Sequence, residues 1–316
     1  MSQTGYAWDP MYLGHQTSPI HPERPGRVER LAYRDVVLEL PGLKRVNVQA
    51  QLGLPWASRV HERSYIDFVR EAHSRGRWAL DASRETCVRE DTYDVAMRSL
   101  SGALSLVMDV ASGSLKNGFA AVRPPGHHAG VDRARGFCIF NNAAACAAFA
   151  KEHFGLERVL IVDWDVHPAD GTMAIFYEDP DIHVLSLHQT GLFPKTVGSD
   201  DQIGMGAGEG ATWNRNLPKG TVGDEHRSVF ESVLHQAADA CRPDLVIVSA
   251  GFDGHAGDPV GGWRLEEQDY AQLTEIVTSI ADRHCDGRLV SILEGGYNPS
   301  AVKRSVLAHV ETLMAA

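Results

Sequence analysis

Residues 158–171, RVLIVDWDVHPADG, constrain the fold of this chain more than any other stretch. The continuous apolar run at 159–162 is typical of a strand buried on both faces of a parallel sheet. Asp163, Asp165 and His167 follow at alternate positions, so in an extended chain their side chains point the same way. Two carboxylates and an imidazole at the end of a buried strand cost several kcal/mol unless a cation or hydrogen-bond donors compensate. The stretch therefore predicts a metal site, the alternative being a strand that runs into a polar loop.

The rest of the chain alternates strand-like and helix-like segments, which indicates right-handed crossovers and a parallel sheet. The predicted strands are 119–122, 159–162, 183–188, 245–250 and 289–293; the predicted helices between and after them are 141–153, 171–177, 225–240, 267–284 and one that follows Pro299. Residues 5–30 look loop-like, because two prolines and a glycine interrupt HPERPGR. No linker or repeat divides the sequence, so we predict one catalytic domain over 1–316.

One long segment lacks periodicity. Residues 189–221 are Gly-rich, and loops of this length in compact domains are usually functional or disordered. The segment leaves the carboxyl end of a predicted strand, where open α/β sheets bind their ligands. We therefore expect it to form part of a site wall.

Charge and cysteine content limit the function classes. The chain has 30 Lys and Arg against 41 Asp and Glu, a net charge of −11, which argues against nucleic-acid binding and tolerates a cationic substrate. Its five cysteines form no CxxC pair, so neither a disulfide framework nor a thiolate zinc site is indicated. No signal-peptide pattern and no apolar run of about 20 residues is present, which predicts a cytoplasmic protein without membrane insertion.

Polar groups follow three more predicted strands. His127 and His128 lie in RPPGHHAG, Asp253 lies in VSAGFDGHAGDP, and Tyr297 lies in LEGGYNP. The carboxyl ends of parallel strands share one edge of a sheet, so these groups can meet the carboxylates of 163–170.

Asp165, His167 and Asp253 make a plausible zinc site with open positions for water and substrate. Asp163 then either orients a histidine or binds a second cation with backbone carbonyls, and Asp163 and Asp170 are available to fix the tautomers of the histidine pair. A structural role for that pair, satisfied by backbone carbonyls, is the alternative. Gly295 and Gly296 allow a sharp turn that brings the Tyr297 hydroxyl to the site as an oxyanion donor, although a lone Tyr after a strand is more often packing.

This combination resembles the zinc-dependent histone deacetylase and acetylpolyamine amidohydrolase family, most of all its class II and bacterial branch. The matching motifs are HPERPGR (21–27), RPPGHHAG (123–130), GFCIFNN (136–142), DWDVHPADGT (163–172), SLHQ (186–189), SAGFDGHAGDP (249–259) and LEGGYN (293–298). They occur in the family's order and span nearly the whole chain.

The resemblance implies an arginase-like α/β fold with a parallel sheet of about eight strands. It implies one Zn²⁺ on Asp165, His167 and Asp253, with His128 as the general base and acid beside His127 and with Tyr297 binding the oxyanion. It also implies a structural K⁺, held by Asp163, Asp165, His167, Ser186 and the backbone of Leu187. Gly136, Phe137 and Phe193 would line a narrow channel for an acyl-lysine-like substrate.

Three features depart from the family pattern. Pro168 stands where relatives carry a second histidine, which removes an imidazole and a backbone donor near the metal. Val260 is apolar at the position where polyamine-selective relatives can carry a gatekeeper glutamate. Glu90 and Asp91 stand where many relatives have proline and small residues; we hypothesise that they lie at the pocket mouth and favour a cationic substrate, the alternative being a solvated loop.

The resulting prediction is a zinc amidohydrolase that removes acetyl or longer acyl groups from lysine side chains or small amines, with no nucleic-acid or membrane partner and with a homo-oligomer as an option. An acetylpolyamine amidohydrolase is the nearest alternative. A non-catalytic binder of acylated ligands and a two-metal ureohydrolase are more distant ones.

Overall fold

One sheet of eight parallel strands runs through the computed structural model, which describes residues 3–316. The strands are β1 (Thr4–Ala7), β2 (Lys44–Arg45), β3 (Asn117–Ala120), β4 (Val159–Asp163), β5 (Ile182–Gln189), β6 (Thr212–Leu217), β7 (Leu245–Ala250) and β8 (Leu289–Leu293). Their spatial order is β2-β1-β3-β8-β7-β4-β5-β6. This confirms the predicted α/β fold with about eight strands in a parallel sheet.

Ten α-helices accompany the sheet within the described residues. They are α1 (Gly26–Glu29), α2 (Tyr33–Glu39), α3 (Gly53–Val60), α4 (Arg63–Glu71), α5 (Thr92–Ala111), α6 (Asn142–Phe154), α7 (Asp170–Phe176), α8 (Gly223–Cys241), α9 (Glu267–Cys285) and α10 (Pro299–Ala315). None of these helices is both long enough and apolar enough to cross a membrane.

The sequence of α6 explains its bounds. Alanine is the best helix former, and six of the residues from Asn142 to Ala150 are alanines. The Asn141 side chain accepts a hydrogen bond of 2.9 Å from the Ala144 amide and so caps the start. Gly155 ends the helix in the left-handed region, at φ 68°.

Two groups of helices cover the sheet. Helices α5 and α6 pack together, α5 against β1, β3 and β8 and α6 against β4 and β7. Helices α8, α9 and α10 form a row that packs along β4 and β5, β7, and β3 respectively. The strands between them are buried, and β4, β5, β7 and β8 carry no half-buried position. β4, β7 and β8 are largely apolar in sequence, which is why the sequence predicted them.

The central four strands place the site. β3, β8, β7 and β4 are neighbours in space, although they are far apart in the chain. Asp163 at the end of β4 lies beside Ser249 of β7, and Ala250 of β7 lies beside Leu293 of β8. All four strands therefore end at the same edge, and the polar segments that follow them converge there.

The amino-terminal prediction was wrong in part. Residues 5–30 were expected to be loop-like, but β1 occupies Thr4–Ala7 and α1 starts at Gly26, inside HPERPGR. Pro25 directly precedes this helix, and proline is tolerated at a helix start because the amide it lacks would be unpaired there. β1 is four residues long and owes its stability to its two neighbours, β2 and β3, so its own pattern gave no signal.

The Gly-rich segment 189–221 is also more regular than expected. It contains β6, which pairs in parallel with β5 from Thr212 to Leu217. β6 is an edge strand with a mixture of buried and half-buried polar residues, so it lacks an apolar run. The other predicted elements exist, with ends that differ from the predicted ones by up to two residues.

Candidate active site

Two carboxylates and one imidazole meet beyond the ends of β4 and β7. The His167 Nδ1 atom lies 2.9 Å from Asp165 Oδ1 and 3.1 Å from Asp253 Oδ2. One potential ligand atom from each of the three residues lies within 4.8 Å of the other two. Asp165 and Asp253 are fully buried, and His167 is 8% exposed. The structure thus brings together the three residues predicted to bind a metal.

Two backbone amides donate hydrogen bonds to the carboxylates of this cluster. Asp165 Oδ2 accepts a hydrogen bond of 2.8 Å from the Gly295 amide, and Asp253 Oδ1 accepts one of 3.0 Å from the Val166 amide. A Cβ atom on Gly295 would collide with the carboxylates of both Asp165 and Asp253. Only glycine fits this close approach of the β8 tail.

The charge balance of this cluster fits a bound cation. Burial raises the pKa of Asp253 to about 7, and the charge of Asp165 adds to the effect. Burial also opposes a charge on His167, but Asp165 and Asp253 outweigh it and raise its pKa to about 10. A positive charge on His167 would therefore balance the two carboxylates, as a metal ion would. Asp253 Oδ2, the oxygen that faces His167 Nδ1 at 3.1 Å, is buried and has no other partner among the described residues, which leaves a lone pair for a metal.

The tandem histidines have separate carboxylate partners. His127 Nδ1 lies 3.0 Å from Asp163 Oδ2, and His128 Nδ1 lies 2.5 Å from Asp170 Oδ1. Their ring centroids are 4.0 Å apart. In each histidine Nδ1 is engaged by a carboxylate, so Nε2 is the nitrogen that remains for chemistry.

The two imidazoles differ in charge. Burial opposes protonation of His127, but Asp165 and Asp163 outweigh it and raise its pKa well above the usual value. Burial lowers the pKa of His128 to about 4, and the neighbouring His127 lowers it further. At neutral pH His128 is the member of the pair that can accept a proton.

Glu294 was not predicted from the sequence. Its buried Oε2 accepts hydrogen bonds of 2.7 Å from the Gly126 amide and 3.1 Å from the His127 amide. Burial raises its pKa to about 7. Glu294 directly follows the apolar run of β8, the same signal that identified Asp163 after β4. It anchors the loop of the tandem histidines to the β8 tail.

Tyr297 lies in the turn that follows β8. Its amide donates to Asp258 Oδ2 at 2.6 Å, and its ring contacts the Phe137 ring edge-on at 5.7 Å between centroids. Burial raises the pKa of its hydroxyl well above the usual value, so the group stays a neutral donor.

A buried ion cluster supports this turn and gives HPERPGR a structural purpose. Arg27 donates to the carbonyl of Glu294 at 2.5 Å and to that of Gly296, and its guanidinium lies 5.0 Å from the Tyr297 ring centroid. Glu23 pairs with Arg27 at 3.1 Å and with Arg123 at 2.6 Å. Spacing along the chain could not reveal this cluster, because its members lie up to about 270 residues from their partners.

The predicted channel residues lie beside the histidines and the tyrosine. The Phe193 ring meets the His128 ring edge-on at 5.4 Å, and a Cβ on Gly136 would collide with His128. Phe137 has a left-handed φ of 69° and presents its ring to Tyr297. Val260 is half-buried, and its amide donates to Asp258, the same carboxylate that holds Tyr297.

The two acids predicted at the pocket mouth lie in the loop that leads into α5. Glu90 and Asp91 are exposed at the amino-terminal end of α5, and the structure describes no contact between them and the channel residues. An earlier part of the same loop reaches the channel wall instead: the Thr86 hydroxyl accepts a hydrogen bond of 3.2 Å from the Phe137 amide. The Glu85 carbonyl lies 3.0 Å from His21 Nε2, and the His21 ring contacts Phe137.

The residues predicted to hold K⁺ are neighbours across β4 and β5. Asp163 and Ser186 lie side by side in the sheet, and Leu187 follows in β5. Asp163 Oδ1 accepts a hydrogen bond of 3.0 Å from the Asp165 amide. Pro168, the departure from the family pattern, lies next to Gly198, on which a Cβ would come within 2.8 Å of it.

The comparison with known proteins agrees with this geometry. The histone deacetylase domain matches residues 21–313. The chain is 38% identical over 309 residues to "Histone deacetylase 10, chloroplastic" of Oryza sativa subsp. japonica, covering 93% of this chain and 69% of that protein. It is 33% identical over 313 residues to "Histone deacetylase-like amidohydrolase" of Pseudomonas aeruginosa, covering 98% and 79%.

Two further matches are a human protein and a solved structure. "Polyamine deacetylase HDAC10" of Homo sapiens is 36% identical over 275 residues, covering 84% of this chain and 40% of that protein. The crystal structure of the HDA15 HD domain superimposes with a TM-score of 0.88 and 32% identity, covering 99% of this chain and 88% of that one. The chain therefore belongs to the histone deacetylase family, whose general activity is metal-dependent hydrolysis of amide bonds.

Proposed function

We propose that this protein is a zinc-dependent deacylase that removes acetyl or longer acyl groups from lysine side chains or small amines. The observation that carries the proposal is the convergence of four adjacent strand ends, which brings a two-carboxylate, one-imidazole cluster next to two carboxylate-bound histidines. We further propose that residues 1–316 form one catalytic domain, because the β-sheet joins Thr4 to Leu293.

Asp165, His167 and Asp253 would hold Zn²⁺, since oxygen and imidazole nitrogen are its usual ligands. When bound, Zn²⁺ supplies Lewis acidity towards the amide carbonyl and a water molecule. Asp163, Asp165, His167, Ser186 and the Leu187 backbone are the proposed K⁺ ligands; the register that puts Asp163 beside Ser186 supports this assignment.

His128 is the proposed general base and acid. Asp170 holds its Nδ1, so Nε2 can take a proton from the attacking water and return it to the leaving amine. His127, oriented by Asp163, stays protonated and favours the developing negative charge. The neutral Tyr297 hydroxyl is the proposed donor to the oxyanion.

The substrate would enter between Gly136, Phe137 and Phe193, whose side chains and backbone flank His128 and Tyr297. An acetylpolyamine is the second candidate substrate. The net charge of −11 and the human relative named polyamine deacetylase favour it, and Val260 and the exposed Glu90 and Asp91 are the positions at which selectivity would be set. Cytoplasmic location, the lack of nucleic-acid and membrane partners and the option of a homo-oligomer stay predictions from the sequence.

The test is release of acetate by the purified, zinc-loaded protein from an acetyl-lysine peptide and from an acetylpolyamine. We expect turnover of at least one substrate and a loss of about 10²–10³-fold in kcat for Tyr297→Phe, the size expected for one oxyanion donor. Zinc content should be equal in both proteins, because Tyr297 is not a metal ligand. Bound zinc without turnover of either substrate would contradict deacetylation. The remaining hypotheses would then be removal of a longer acyl group and non-catalytic binding of acylated ligands.

The polyamine alternative needs its own variant. Glu90→Ala with Asp91→Ala should lower the preference for the acetylpolyamine if these acids attract the cation. The same ratio of the two rates in the double variant and the wild type would assign both acids to a solvated loop.

A further inference from the structure

Arg135 touches two parts of the proposed site that are otherwise far apart in the chain. Its Nη1 donates to Asp170 Oδ2 at 2.8 Å, while its guanidinium carbon lies 4.7 Å from the centroid of the Phe193 ring. Asp170 also binds His128, and the Phe193 ring also contacts the His128 ring. Arg135, Asp170, His128 and Phe193 therefore form a closed cycle of contacts.

The backbone fixes the start of this arginine side chain. The Arg135 amide donates to the Cys138 carbonyl at 3.1 Å, and the Cys138 amide donates back to the Arg135 carbonyl at 2.8 Å. Gly136, between them, has a left-handed φ of 52° and leaves no room for a Cβ against His128 and Phe193. The turn thus presses the backbone of Gly136 against the same two rings that Arg135 spans.

The charges in the cycle are complementary. Burial opposes ionisation of Asp170, but the neighbouring His128 and Arg135 hold the pKa of that carboxyl below its usual range. Asp170 is 3% exposed, whereas the Arg135 side chain is 29% exposed, so the arginine reaches the buried carboxylate from the solvent side. A planar guanidinium can donate to a carboxylate at its edge and stack on an aromatic ring with its face, which an ammonium group cannot do.

We propose that Arg135 is a positioning residue of the deacylation: it holds Asp170 and Phe193 in fixed places and thereby fixes the His128 imidazole between them. The inference rests on the proposed function. Arg135 lies behind Asp170, and its contacts in the site are those to Asp170 and Phe193. Loss of such support allows the base to move, and a displacement of about 1 Å at a reacting group can cost about 100-fold in rate.

The kinetic test compares Arg135→Ala, Arg135→Lys and Arg133→Ala. Arg133 is the matched control, because it lies two residues away, its side chain is 51% exposed and its ion pair is with the adjacent Asp132. We expect kcat to fall about 100-fold in Arg135→Ala and to stay low in Arg135→Lys, with KM little changed. Arg133→Ala should match the wild type.

Rescue separates positioning from a general structural effect. Millimolar guanidinium should restore part of the kcat of Arg135→Ala, because the truncated side chain leaves a hole open to solvent, and the same concentration of ammonium should not. The thermal midpoint should fall little, since partly exposed ion pairs contribute little to stability. An Arg135→Ala protein as active as Arg133→Ala, or rescue by both cations alike, would overturn the proposal.

A second measurement does not depend on activity. In metal-free protein with ¹⁵N-labelled histidine, the His128 Nδ1 proton, held by Asp170 at 2.5 Å, should give a strongly downfield NMR signal. The signal should move or broaden in Arg135→Ala and return with guanidinium; no change would refute the positioning role. If the wild type hydrolyses neither substrate, the deacylase proposal fails, and this signal still decides the role of Arg135.

Discussion

Glu294 illustrates how one side chain can join two segments of the site. Its Oε2 accepts hydrogen bonds from the amides of Gly126 and His127, and these bonds join the loop of the tandem histidines to the segment that follows β8. That segment also supplies the Gly295 amide to Asp165 and carries Tyr297. Glu294 therefore links the proposed metal ligands, the histidines and the tyrosine without belonging to any of these groups.

We expect Glu294→Gln to keep a substantial part of the activity and Glu294→Leu to lose most of it. Glutamine retains an oxygen that can accept both amides, whereas leucine leaves two buried N–H groups unpaired, each at a cost of about 1–3 kcal/mol. Urea unfolding and kcat measure the two effects. Equal loss in both variants would show that the charge of Glu294, rather than its acceptor oxygen, is what matters.

Among the individual side chains of the site, the sequence predicted those that follow buried strands and missed those that support them. Asp163, Asp165, His167, Asp253 and Tyr297 could be found because parallel strands end at one edge. Glu294 follows the same rule and could have been found. Arg27 and Arg135 could not have been found in this way, because tertiary packing decides their partners. Arg27 binds Gly296, 269 residues further along the chain, and Arg135 binds Asp170, 35 residues further along.

Among the elements, the segment from β3 to α6 contributes both tandem histidines and the channel residues Gly136 and Phe137. It runs through the tandem histidines and the Arg135 turn before the Asn141 cap starts α6. Its backbone packs closely on both sides: a Cβ on Gly126 would collide with the Asn142 amide, and one on Gly136 with His128. Such close packing of a backbone against a neighbouring backbone or ring requires glycine, which is the physical reason for Gly126 in RPPGHHAG and for Gly136 in GFCIFNN.

Gly136→Ala tests this packing against a matched control. Gly136 and Gly155 both have left-handed φ values, 52° and 68°, but a Cβ on Gly155 would meet no atom within 4 Å. Both alanine variants should lose about 1 kcal/mol of stability from the backbone, since alanine is strained in this region. Only Gly136→Ala should also lose activity, by about 100-fold, because it displaces His128 or Phe193. Equal kcat values in the two variants would show that the turn can yield.

The strands that the sequence missed share one physical cause. β1, β2 and β6 lie at or near the edges of the sheet and span four, two and six residues. Their pairing partners, rather than an apolar run of their own, hold them in place. The central strands β7 and β8 were predicted residue for residue because burial on both faces favours a nearly continuous apolar sequence, broken in each strand by one serine.

For the whole molecule, acid sensitivity follows from buried histidines rather than from the net charge. His309 on α10 is fully buried, with Nδ1 2.6 Å from the Thr274 hydroxyl and Nε2 2.8 Å from the Ser291 hydroxyl. Its other neighbours are the uncharged rings of Phe119, Trp164 and Phe252. Among the residues that the structure describes, no carboxylate lies there to stabilise a proton, so burial lowers the pKa of His309 to about 3 from its ordinary 6.5.

The sign of the pH effect follows from this shift. The unfolded chain binds a proton at His309 below pH 6.5 and the folded chain does not, so stability falls as the pH drops below 6.5. Between pH 7 and pH 5 the loss of stability attributable to His309 is about 2 kcal/mol.

His309→Gln keeps a donor and an acceptor for Thr274 and Ser291 but cannot be protonated, so its unfolding free energy should fall by about 2 kcal/mol less over the same interval. Urea unfolding of metal-free protein at both pH values measures this difference, with His73→Gln, an exposed position, as the control that should keep the wild-type slope. If His309→Gln loses as much stability as the wild type, His309 is protonated in the folded protein and the acid sensitivity must come from other buried histidines such as His226, whose pKa burial lowers to about 3.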